Sequence, residues 1–320
     1  MTFPLFHRPG TIVFLDDDPD YLEMLALLLP REWPVKLFTR PRDCIDHLQQ
    51  EPPFWEADAW TQQEMVAQWR GGRALVPLVL EYWARSTERY GLGRVCVVDF
   101  SMPEMDGLQV LSRLDDWPGA RVLLTGQADE QVAVDAFNRK LIDQFIPKQT
   151  ADISRHLVDA VRRLMAAPHP RHAQTWRATL QPDQHALLRQ PEVARDLATL
   201  AQRHWVEHVV VGEPFGILGL DPAGFASWLQ LETPAGLAAL AEVAQLERFS
   251  ENDMADIRAG RKLVDLELAQ ALQRPSRLAQ ATPIGGGVLV GALFEVPWPS
   301  LQDAGYSRWL GRQPRRQVQA

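Results

Sequence analysis

Four short apolar runs in the first half of the chain each stop on polar residues, and the chemistry at the stop changes from run to run. Thr11 to Leu15 runs into Asp16, Asp17 and Asp18. Arg94 to Val98, through VCVV, runs into Asp99. Arg121 to Leu124, through VLL, ends on Thr125, and Gln144 to Pro147 ends on Lys148. Runs this short, apolar at consecutive positions, are those of strands buried on both faces, as in a parallel sheet. Helical signals lie between them. Pro19 opens a segment in which Leu22, Leu25, Ala26 and Leu29 share a face, a short strand at Val35 to Phe38 precedes a helix from Pro41 to about Gln50, and Ile153, Leu157, Val161 and Leu164 form a further stripe. Such alternation predicts an α/β fold, a doubly wound parallel five-stranded sheet covered by helices on both faces. In these sheets functional groups gather beyond the carboxyl ends of the strands, so the four stops are expected to meet on one rim.

Carboxylates from two strands at that rim can hold one Mg²⁺, which takes oxygen ligands, and Lys148 can neutralise charge that the metal does not. A carboxylate at the centre of such a pocket is a candidate phosphoryl acceptor, because phosphoryl transfer mainly needs positioning and charge neutralisation. Asp18, beside Pro19, reads as a helix-start residue.

Composition bounds the rest. At 320 residues with 46% hydrophobic content, the chain is long enough for two domains with real cores. The net charge of −8 arises in the first half: residues 1–150 hold 15 basic and 23 acidic side chains, and residues 151–320 are balanced. No strongly basic surface results, which disfavours nucleic acid as a partner. Cys44 and Cys96 are too few for a disulfide framework. With no signal-peptide pattern and no apolar run longer than Ile284 to Phe294, no membrane association is expected, and the reading is of a cytoplasmic protein.

The strings FLDDDPDYLEML (14–25), VVDFSMPEMDGLQVL (97–111), LLTGQAD (123–129) and FIPK (145–148) together resemble the receiver domain of two-component response regulators, the CheY-like domain that partner histidine kinases phosphorylate on aspartate. The resemblance spans most of residues 11–166 and implies that Asp99 is the phosphoacceptor. It implies that Asp17 and Asp99 ligate Mg²⁺ through carboxylates, Ser101 through its backbone carbonyl and Asp16 through a water. Lys148 then pairs with the phosphoryl group, Thr125 donates its hydroxyl to it, and Phe145 holds the aromatic switch position. Asp106 and Gly107 shape the loop after the acceptor strand, Gly107 by taking a backbone angle that other residues resist. The implied partner is a sensor histidine kinase or a histidine phosphotransfer protein, and the implied homodimer face is 129–157. No enzymatic activity is expected beyond self-phosphotransfer and autodephosphorylation. A degenerate receiver, keeping the fold without the chemistry, is the alternative.

The chain departs from the family in three ways. Gln149 follows Lys148 where proline is usual, which predicts a trans bond. Phe145 keeps the ring without a hydroxyl, so coupling from Thr125 must be by packing. Residues 51–91 form an insertion, read as two helices with Gly71 and Gly72 between them. Trp55, Ala59, Gln62, Val66 and Trp69 step along one face, expected to pack the insertion onto its own domain or to receive a protein partner.

The expected organisation is a receiver domain over 1–167, a linker over 168–190, beginning in Pro168 to His172, and a smaller α+β output domain over 191–320. In the last, a helix from Pro191 buries Val193, Leu197, Leu200 and Ala201. Phe215 to Leu220 and Phe225 to Leu231 flank a turn at Asp221 to Gly224, helices start near Pro234 and Ser250, and a strand covers Gly287 to Val296. Signatures of cyclic-dinucleotide enzymes are missing. His204, Glu207 and His208 spell an inverted zinc-peptidase motif in a context that argues against it. A helix-turn-helix over Ser250 to Leu272, with Gly260 in the turn, would give a DNA-binding transcriptional regulator, but Asp265 and Glu267 would face phosphate poorly. The strand-turn-strand stretch faintly resembles small sensory domains of the PAS class. The output is therefore read as a protein-interaction or sensory module, with DNA binding or an unrecognised enzymatic activity as alternatives.

Overall fold

The computed structural model of the protein describes residues 2–126, 130–167, 169–247, 249–314 and 316–319. Residues 127–129, which end the LLTGQAD string and begin the expected 129–157 face, lie outside the described residues, as does Pro168 at the start of the expected linker. The chain divides into two compact units, one of Pro9–Trp60, Glu88–His169 and Trp309–Ala320, the other of Met1–Arg8, Thr61–Thr87 and Pro170–Arg308.

The first unit contains the parallel sheet. Its strands run in the order Val318–Gln319, Val35–Phe38, Thr11–Leu15, Gly93–Asp99, Ala120–Thr125 and Gln144–Pro147, and every pair is parallel. The five expected strands are present, and the C-terminus adds a sixth at the edge. Alternation along each strand sorts side chains to two cores. Val13, Leu15, Cys96, Val98 and Leu123 face Cys44, Ile45, Leu48, Val110, Leu111 and Leu114. Ile12, Phe14, Val95, Val97, Val122, Leu124 and Ile146 face Leu22, Leu25, Leu157, Ala160 and Val161. The helix Pro19–Leu28 begins where expected because the Asp18 carboxylate accepts from the backbone N–H groups of Asp20 and Tyr21, at 3.0 and 3.2 Å. Glu51 is buried, and its Oε2 accepts from Gly93 N at 2.9 Å and Trp117 Nε1 at 2.8 Å, tying the end of the second helix to the start of the central strand. Burial lifts this carboxyl above the ordinary value although those donors hold it back.

In the second unit the sheet is antiparallel and has seven strands, ordered Phe6–His7, Glu207–Gly212, Phe215–Leu220, Ala226–Glu232, Leu289–Val296, Leu278–Ile284 and Lys262–Val264. The turn at Asp221 forms as expected: Asp221 Oδ1 accepts from Ala223 N and Phe225 N, both at 2.8 Å, and Gly224 takes a φ of +92°.

Three boundaries read from sequence are corrected. The segment 168–190 is not a linker. It forms the helices Pro170–Arg177 and Pro182–Leu188, and Trp176 within it is buried in the antiparallel unit's core, with its Nε1 donating to Gln62 Oε1 at 2.8 Å. Pro170 and Pro182 start helices here instead of interrupting them. The insertion does form two helices, Pro52–Arg70 and Leu75–Arg85, but residues Thr61–Thr87 belong to the antiparallel unit, where Leu75, Val76, Val79, Leu80 and Trp83 are core. It therefore does not simply pack onto the receiver-like unit; Trp55 and Trp83 are buried and Trp60 is exposed. Both chain ends also cross the expected boundaries, Phe6–His7 as an edge strand of the antiparallel sheet and Val318–Gln319 as an edge strand of the parallel one.

Candidate functional site

The rim at the carboxyl ends of the parallel strands inherits its geometry from the sheet's alternation. Asp16 continues the parity of Ile12 and Phe14, Asp99 that of Val95 and Val97, and Lys148 that of Ile146, so all three emerge on the same face. Lys148 Nζ lies 2.8 Å from Asp16 Oδ2 and 2.8 Å from Asp99 Oδ1. Both carboxylates are buried, at 2% and 4% exposure, whereas Asp17 is exposed. Oxygen atoms of Asp16, Asp17 and Asp99 come within 4.8 Å of one another. This all-oxygen donor set is of the kind that holds a hard divalent cation.

The electrostatics follow from burial and pairing. Burial lifts the Asp16 carboxyl above its ordinary value, held back by hydrogen bonds from Lys148 and the Asp18 backbone and pushed on by Asp99. Burial works against the Lys148 charge, but hydrogen bonds and charge from Asp16 and Asp99 outweigh it and hold the ammonium above the ordinary lysine value. The ammonium also stands 4.8 Å from the centroid of the Tyr21 ring.

Thr125 is fully buried at the end of its strand, and its Oγ1 has no hydrogen-bond partner among the described residues. Its backbone carbonyl accepts from Lys148 N at 2.8 Å, which ties the two strand ends together. Phe145 is half-buried on the opposite face, against the cluster that holds Leu123 and Ala133. Ser101 is exposed two residues past Asp99. The bond from Lys148 to Gln149 is trans, as expected; among the described residues the cis bond is Glu213–Pro214. Asp106 caps the helix Gly107–Ser112 in a reciprocal box with Gln109. The reading of Gly107 is corrected: its φ is not positive, and glycine is needed because a Cβ there would stand 2.3 Å from the Asp99 carbonyl oxygen.

Sequence reasoning brought together Asp16, Asp17, Asp99 and Lys148 but passed over Tyr21, which it quoted only inside a motif. Its signal was helical spacing: Tyr21 stands four residues before Leu25, on the face turned to the sheet.

The second unit's sequence candidates do not assemble. His204 ends the helix Pro191–His204, while Glu207 and His208 are buried in the following strand. The His208 ring stacks on Phe3 at 5.0 Å with Nε2 donating to the Pro4 carbonyl at 3.1 Å. No set of three close metal ligands arises there among the described residues. The Ser250 to Leu272 segment is helix, strand, helix: Lys262–Val264 pairs with Leu278–Ile284, so no helix-turn-helix forms.

No protein-family model and no curated protein matches the chain. Among solved structures, that of the Legionella pneumophila response regulator LqsR is 21% identical and covers 98% of both chains with a TM-score of 0.73. Receiver domains from Clostridium thermocellum (15% identical, 49% of this chain and 94% of that one, TM-score 0.33) and Methanospirillum hungatei (16%, 49% and 94%, 0.31) are matched over about half the chain. The protein therefore has the fold of a response regulator, a doubly wound receiver-like unit joined to an antiparallel α+β unit. LqsR is a solved structure that shares this fold over 98% of the chain.

Proposed function

We propose that the chain is a response regulator in which Asp99 accepts a phosphoryl group from the histidine of a sensor kinase or a histidine phosphotransfer protein. In that step an Asp99 carboxylate oxygen bonds to phosphorus, the P–N bond breaks, and the imidazole leaves with the electron pair. The observation that carries this reading is the Lys148 ammonium shared at 2.8 Å between the buried carboxylates of Asp16 and Asp99. A cation so placed neutralises the acceptor and is ready to pair with phosphoryl oxygens. The Asp16, Asp17 and Asp99 donor set supports Mg²⁺, with Ser101 adding its carbonyl; the ion would supply charge neutralisation at the phosphoryl oxygens. Thr125, buried with a hydroxyl that has no hydrogen-bond partner among the described residues, is suited to donate to the modified Asp99, and Phe145 to respond by packing.

The antiparallel unit is assigned the output role, as a protein-interaction or sensory module of a cytoplasmic regulator. Val132, Val134 and Phe137 are exposed on the helix Glu130–Asn138 and support dimerisation through 129–157, and exposed Trp60 supports a protein partner at the 51–91 helices. No helix among the described residues is long and apolar enough to cross a membrane.

Acetyl phosphate with Mg²⁺ is expected to add one acid-stable, base-labile phosphoryl group to the full chain, seen by intact mass, and Asp99→Asn to abolish it. An unshifted mass in the parent protein would overturn the proposal.

A further inference from the structure

Tyr21 sits where the acidic rim meets the first helix. Its backbone N–H is fixed by Asp18, and its side chain packs against the cluster whose strand residues lead up to Asp16 and Asp99. The Lys148 ammonium stands 4.8 Å from its ring centroid while bonded to both carboxylates, so the aromatic face lies against the same cation that the two acids hold. A phenylalanine would serve that purpose equally well. The tyrosine adds a hydroxyl that is buried and has no hydrogen-bond partner among the described residues. A buried donor without an acceptor is costly, and such groups in folded proteins call for an explanation. Burial and the neighbouring acids hold the phenol above its ordinary value against the pull of Lys148, so it keeps its proton and remains a donor.

We propose that Tyr21 is a phosphoryl-binding residue: its ring positions the Lys148 ammonium, and its hydroxyl donates to an oxygen of the phosphoryl group carried on Asp99. This rests on Asp99 being the acceptor. It explains both the ring and the hydroxyl, and it adds a donor from the first helix to Thr125, whose hydroxyl is also buried without a hydrogen-bond partner among the described residues. Loss of the phosphoryl group by hydrolysis forms a bond from water oxygen to phosphorus, returns the bonding pair to the Asp99 carboxylate and releases inorganic phosphate and a proton. A Tyr21 hydroxyl bonded to the phosphoryl oxygens would alter both its uptake and that loss.

The test uses the full chain with acetyl phosphate and Mg²⁺, following intact mass over time, beside thermal unfolding of each variant without either reagent. Tyr21→Phe keeps the ring and is expected to change the rate of uptake or the lifetime of the phosphoryl group by about three- to tenfold, the worth of one hydrogen bond. Its unfolding midpoint should be no lower than the parent's, since the hydroxyl has no partner to lose. Tyr21→Leu should add about a two- to fivefold loss of uptake as the ring contact to Lys148 goes. Parent-like rates in Tyr21→Phe would overturn the assignment and leave the Asp99 reading standing. A lowered midpoint in parallel with slowed uptake would assign Tyr21 to the fold and overturn it too. A parent that takes no phosphoryl group on Asp99 overturns both.

Discussion

At Gly107 the chain passes so close to the Asp99 carbonyl that a Cβ would stand 2.3 Å from its oxygen and 2.9 Å from Leu123 Cδ1. Gly107→Ala is therefore expected to push the acceptor's backbone aside. The predicted cost is about 1–3 kcal/mol, the usual price of overpacking, read from denaturant unfolding, together with slower phosphorylation of Asp99. Single-residue chemistry also sets a pH response in the antiparallel unit. Burial holds the His208 imidazole neutral, lowering its pKa to about 4 from 6.5. Between those values the unfolded chain binds a proton that the folded chain refuses, so stability falls as pH drops through that window. The contribution is about 3 kcal/mol by linkage. Unfolding free energies at pH 7 and pH 4.5 should differ less in His208→Gln than in the parent by about that amount; an equal difference in the two proteins would refute the assignment. The rim side chains were legible because strand ends announce themselves. The reason for Gly107 was not, because a contact between residues 99 and 107 has no periodicity to betray it.

Elements with a strong local pattern were read closely, and the Thr11–Leu15, Val35–Phe38 and Gln144–Pro147 strands begin and end where expected. Short edge strands were not. Val318–Gln319 adds to the parallel sheet beside Val35–Phe38, and Arg316 before it donates to the carbonyls of Ala26, Leu29, Pro30 and Trp33 around the end of the first helix. In the fold this arginine satisfies carbonyls that a helix end leaves open. Arg316→Ala is expected to lower stability by about 1–2 kcal/mol, visible as a lower urea midpoint at unchanged slope, whereas a solvated tail residue would leave the midpoint where it was. The helix-turn-helix alternative fails at this scale as well: Lys262–Val264, only three residues long, becomes a strand because Leu278–Ile284 lies beside it.

The two units do not follow the chain in order. The antiparallel unit takes Phe6–His7 from the N-terminus, the Leu75–Arg85 helix from the middle and the helices Pro170–Arg177 and Pro182–Leu188 from the expected linker. A fragment of residues 191–320 therefore lacks Trp83 and Trp176, both fully buried, and is expected to give no cooperative thermal transition by circular dichroism, while the full chain does. A sharp transition from that fragment would show that the interleaving is dispensable. What the sequence alone determined is the parallel sheet and the acidic rim with its lysine, because a buried strand and the polar residue that ends it are local: the period along the chain is the period in space. Only the tertiary structure decided which segments join which sheet and why Tyr21 faces Lys148. Those outcomes depend on contacts between residues tens to hundreds of positions apart, selected by packing and leaving no pattern in any one stretch of sequence.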